Sequence, residues 1–267
     1  MTISRFLCGL AGALICSGGW LSVAAAEPPA QKANLLVGVG HVIPPFVGGS
    51  KVRTPETVET ELAGQVAQRL GAQLETIAAA PAGRLPVRRG AVPDVVLGTA
   101  QSIEHDYPGA TVVPTGYVLS PMAIMRSDTQ IKTWTQLQGR KVCLSEGSPY
   151  AGSMARQYGA VEALFAAPAD VLLALRTGRC DAAVHDSAML NELLKLPEWK
   201  KFSARLSSNS RVPLVFAVPA QDHVMVQRLT QAASQWKAQR YLADLNKTRA
   251  RDIAFEVYLD QNIPDCH

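Results

Sequence analysis

One pattern occurs twice in this chain, and it narrows the choice of folds more than any other feature. Arg84-Leu85-Pro86-Val87-Arg88-Arg89-Gly90 leads into Asp94-Val95-Val96-Leu97-Gly98, and Leu172-Leu173-Ala174-Leu175-Arg176-Thr177-Gly178 leads into Asp181-Ala182-Ala183-Val184-His185-Asp186. Each is an amphipathic segment closed by glycine, followed by a short apolar strand entered through aspartate. Two copies about ninety residues apart point to two similarly built α/β lobes, with chance recurrence of a common helix–Gly–strand unit as the plain alternative.

The sequence before the first copy sets the class. Leu35 to Gly40 is a short apolar run that reads as a buried parallel strand, and Pro44-Pro45 forbid its ladder from continuing. Glu59 to Leu70 carries Leu62, Val66 and Leu70 on one helical face with Gly71 as a stop, and Gln73 to Ile77 follows as a strand. Strand, helix, strand at this spacing is a βαβ unit, so the class is α/β. Two extended apolar runs marked by proline, 117–126 and 211–219, bracket the second copy, as a chain needs to cross to a second lobe and return. This predicts lobe one at 33–119 plus 220–267, lobe two at 121–212, and hinges near Ser120 and Leu214. Residues 225–245, with Leu229, Trp236 and Leu242 among polar residues, are then helices packed on lobe one.

The N-terminus has Arg5, an apolar run from Phe6 to Cys16, a turn-forming Ser17-Gly18-Gly19, and Ala24-Ala25-Ala26. This predicts a signal peptide over 1–26 that is cleaved on export to the periplasm. A membrane span needs about 20 continuous apolar residues, and the glycines interrupt this run. A net charge of +4 from 26 basic and 22 acidic side chains is too balanced to argue for nucleic acid. Of five cysteines, Cys8 and Cys16 leave with the signal, and Cys143, Cys180 and Cys266 remain. Three thiols in an oxidising compartment allow one disulfide with one left over.

Several of these segments, in order, resemble the extracellular solute-binding proteins of family 3, the polar amino-acid binding group of the type II periplasmic-binding fold. They are Leu36-Val37-Gly38-Val39 with Pro45-Phe46, Glu61-Leu62-Ala63 to Arg69-Leu70-Gly71, Gly90 to Val96, Leu137-Gln138-Gly139-Arg140-Lys141-Val142 to Gly147-Ser148, and Leu175 to Asp186. The resemblance implies a two-lobed α/β clamshell with two crossing hinge strands. It also implies a monomer that captures a small polar ligand, amino-acid-like or amine, for an inner-membrane ABC permease, with no cofactor, metal or catalytic residue. Open α/β sheets bind beyond the carboxyl ends of their strands. The ligand contacts implied are Phe46, Gly98, Thr99 and Gln101 from lobe one, and Ser148 and Asp186 from lobe two. Asp186 would hold an ammonium group, with helix N-capping as its other reading. Family members usually carry an arginine clamp for the ligand carboxylate, but here that neighbourhood reads Ser102-Ile103-Glu104-His105-Asp106-Tyr107, which leaves Arg84 as the substitute.

Two other functions compete. A few relatives of the fold are periplasmic dehydratases or lyases, for which Glu146 or His185 could serve as acid or base. A metal carrier would draw on His41, His105 and His185, each just after a predicted strand. In the resembled fold the strands containing Cys143 and following Cys180 are parallel neighbours about 4.8 Å apart, so the pairing expected is Cys143–Cys180 with Cys266 free.

Overall fold

The structure is a computed structural model that describes residues 33–45, 47–49, 51–79 and 92–261. Phe46, Arg84, Cys266, the signal segment and the helical half of the first repeated unit lie outside them.

The chain begins β1 (Asn34–Val39), α1 (Val58–Leu70), β2 (Gln73–Ala78), β3 (Val95–Thr99), α2 (Ala100–Asp106) and β4 (Thr111–Leu119). After Ser120 come β5 (Pro121–Met125), β6 (Lys141–Ser145), α3 (Ser153–Tyr158), β7 (Val161–Phe165), α4 (Pro168–Arg176), β8 (Ala182–Asp186), α5 (Ser187–Leu193) and β9 (Ala204–Ser207). It ends with β10 (Val212–Val218), α6 (His223–Ala238) and α7 (Tyr241–Leu259). The α1 boundaries follow local chemistry. Thr57 Oγ1 accepts from the Glu59 and Thr60 amides at the N-terminus, and Gly71 takes a left-handed φ of 65° at the C-terminus.

Two five-stranded sheets result, with orders β2-β1-β3-β10-β4 and β7-β6-β8-β5-β9. In each, three parallel strands are followed by one antiparallel to them and then by an edge strand that reverses again. The repeated Asp-led strands, β3 and β8, occupy the same place in the two sheets, and the two aspartates do the same work. Asp94 Oδ2 accepts from Leu36 N at 2.8 Å while Asp94 N donates to Leu36 O, and Asp181 Oδ2 accepts from Lys141 N at 2.9 Å while Asp181 N donates to Lys141 O. Each carboxylate therefore fixes its strand's register against the neighbouring parallel strand.

The disulfide joins Cys143 in β6 to Cys180, with Cα atoms 6.0 Å apart and a sequence separation of 37. Parallel pairing of Cys143 with Ala183 brings the two within reach, as expected.

The connections between sheets differ from expectation at two points. β4, in the first sheet, passes to β5, in the second, through Ser120. The return runs through 208–211, because β9 pairs with β5 in the second sheet while β10 is already in the first. Leu214, expected at a hinge, is buried in β10 opposite Thr99. The second difference is α7. Residues 220–267 were all expected with lobe one, and α6 does bury Leu229 and Trp236 there. After Arg240, whose φ of 55° turns the chain, Leu242 and Leu245 still face the first core, but Ala250, Ile253 and Val257 enter the second beside α4 and α5. α7 thus spans both sheets.

Candidate functional site

A cavity of ≈ 300 Å³ lies between the two sheets and takes walls from both. The end of β1 contributes Gly40 and His41, the entry to α1 contributes Glu56 to Glu59, and β4 contributes Tyr117 and Leu119. The loop after β6 supplies Gly147, Ser148 and Pro149 from the opposite side, the end of β8 supplies His185 and Asp186, and α7 supplies Arg249. These are strand ends and helix starts, where chain reversals leave polar groups facing inward.

Asp186 is the best-anchored group in the wall. Oδ1 accepts from Ala188 N at 2.9 Å, which caps α5, and Oδ2 accepts from Ser120 N at 3.2 Å and from the Tyr150 hydroxyl at 2.9 Å. The Tyr117 hydroxyl stands 3.3 Å from Oδ1 and 3.0 Å from Asn246 Oδ1, so its one proton is shared between them. Burial, and then the Asp186 charge, push both tyrosine hydroxyls far up, which keeps them as donors. The carboxylate's acceptor positions are filled from within the protein.

Arg249 is similarly committed. It is 4% exposed and donates to the carbonyls of Pro55 (3.0 Å), Glu56 (2.8 Å) and Thr57 (3.5 Å), which sets the loop that carries Glu56 into the cavity. Its neighbours extend the hold: Glu256 accepts from Thr54 N and Oγ1, and Arg53 pairs with Asp170 and Asp260, which Lys51 also reaches at 2.5 Å.

Glu56 and Glu59 are in a different condition. Glu56 is 6% exposed, and its Oε2 sits 3.0 Å from His185 Nε2 without the alignment of a hydrogen bond, so that both atoms are buried and unsatisfied. His185 Nδ1 accepts from the Asp186 amide at 2.7 Å, which assigns the ring proton of a neutral imidazole to Nε2. Glu59 Oε2 accepts one bond, from Gly40 N at 2.7 Å, and burial pushes its carboxyl up to about 7 against that bond.

The residues anticipated from sequence divide. Ser148 and Asp186 line the cavity; Gly98, Thr99 and Gln101 are not among its lining residues. Thr99 Oγ1 caps α2 by accepting from Ser102 N, and with Gln101 it borders a separate surface depression. Gly98 packs against Ile103 and Ser102. Phe46 and Arg84 lie outside the described residues. Glu146 is exposed and is not part of the lining, and His105 stands on α2 beside that same depression. Among the described residues no group of three or more His, Cys, Asp or Glu side chains is placed to hold a metal ion. Gly147 takes a φ of 77°, and a side chain on it would overlap the His41 ring, so the two walls meet at that glycine.

No family model matches the sequence, and no curated protein matches it. Solved structures do. A mutant of ArgBP from T. maritima superposes with a TM-score of 0.51 at 22% identity, over 80% of this chain and 93% of that one. An ancestral protein described as a cationic amino acid solute binding protein gives 0.53 at 18%, over 81% and 95%. A Bacillus subtilis protein gives 0.53 at 20%, over 87% and 94%. Two mixed sheets of like order, a cavity between them and similarity across nearly the whole length of these structures give this chain the two-lobed α/β fold of the type II periplasmic-binding proteins.

Proposed function

We propose that this chain is a solute-binding protein, exported by cleavage of 1–26, which traps a small polar ligand between its sheets. The lobe built on each sheet moves about Ser120 and 208–211, and the closed form is presented to an inner-membrane ABC permease. It acts as a monomer in the periplasm, without cofactor or nucleic acid, on an amino-acid-like or amine ligand. The observation that carries this reading is the cavity itself, lined from both sheets by buried polar groups that have no hydrogen-bond partner. Such groups cost about 1–3 kcal/mol each unless something answers them. Among the described residues no helix is long and apolar enough to cross a membrane.

The test is a thermal-shift panel of amino acids, amines, organic acids and sugars on the protein beginning at residue 27. A ligand that binds only the folded state raises the melting temperature in proportion to its saturation. One class should shift it by several degrees at millimolar concentration. Turnover of that ligand would instead favour a dehydratase or lyase.

A further inference from the structure

We infer that the ligand of this cleft is a small organic cation without a carboxylate, an amine held by Glu59 and Glu56. This deepens the solute-binding reading and rests on it. An amino acid needs two complementary partners, an anion for its ammonium group and a cation for its carboxylate. Among the described lining residues the second is missing: Arg249 is turned away into three backbone carbonyls, and the tyrosine hydroxyls are spent on Asp186 and Asn246. Asp186, the usual ammonium partner in the resembled family, is filled by donors of the protein's own. The acceptors left over are Glu59 Oε1 and the Glu56 carboxylate, whose buried Oε2 stands beside His185 Nε2, three residues apart at the entry to α1.

Among the described residues the wall carries three acids against one committed arginine, and the buried Glu56 carboxylate, 3.0 Å from His185 Nε2 without an aligned hydrogen bond, is costly until a cation arrives. The remaining surface, including Val58, Leu119 and Met189, is apolar and suits a hydrocarbon chain. Among the described residues no cluster is fit for a metal ion, and an ammonium or guanidinium is the cation that matches. The raised pKa of Glu59 gives a second handle. A bound cation requires the carboxylate, so below about 7 binding must expel a proton, and affinity should climb from pH 6 to pH 8. His41, His185, Glu56, Asp186 and Arg249 face the same space, so the slope is attributed by comparison with Glu59→Gln.

Calorimetry with agmatine against arginine, and cadaverine against lysine, varies the ligand carboxylate alone. In at least one pair the amine should bind tenfold or more tightly than its amino acid. Glu59→Gln should cost tenfold at pH 8 and flatten the pH slope, with its own melting curve showing that it folds. Equal or tighter binding of the amino acid overturns the inference, as does an unchanged slope in the variant or binding of another class alone. If no compound of the wider panel binds, the capture reading itself falls.

Discussion

Asp186 shows how one residue type can satisfy two descriptions. Its place after an apolar strand fits ligand contact and helix capping equally, and only the positions of Tyr150, Ser120 and Ala188 decide between them. Asp186→Ala should therefore destabilise the ligand-free protein by on the order of 3 kcal/mol in urea unfolding, combining a lost cap with buried donors left unanswered. A loss under about 1 kcal/mol, the usual range of a surface change, would release Asp186 from this role. Glu59 was invisible to sequence because an acid in the first turn of a helix is ordinary. Arg249 did leave a trace: with Asn246, Ala250, Ile253 and Val257 it falls on the buried stripe of α7, where a charged residue calls for a reason.

At the level of elements, the legible parts were those with strong local rules. The βαβ start, the Gly71 stop, the β8 strand and the Ser120 crossing all rest on apolar periods and on glycine or proline chemistry. The second crossing was misplaced because the apolar run of β10 looks the same whether it spans a hinge or lies within a sheet. Its pairing with β3 and β4 is non-local and decides the question. α7 was assigned to a single lobe for a similar reason, since its apolar residues do not say which core they enter. The disulfide closes the β6–α4 portion of the second sheet, a loop of 37 positions. Replacing Cys143 and Cys180 with alanine should lower stability by about 3–4 kcal/mol in the chain-entropy picture. Equal denaturation midpoints for oxidised and reduced protein would contradict that.

Across the whole molecule, the segment from Lys51 to Thr57 belongs by sequence to the entry of α1 but is tied to α4, α7 and Asp260. It works as a latch between the part of the protein around the first sheet and the part around the second. Arg53→Glu places like charges beside Asp170 and Asp260, and small-angle scattering should then report a larger radius of gyration for the ligand-free protein. An unchanged radius would mean that the latch does not hold the lobes. A latch made of the protein's own side chains also sets the order of events in time. If the cleft is shut before anything arrives, each capture must wait for a spontaneous opening, and the observed association rate should level off at high ligand concentration instead of rising in proportion to it. That ceiling would be the frequency at which Arg53 releases Asp170 and Asp260, three residues along the chain from Glu56 in the cavity wall.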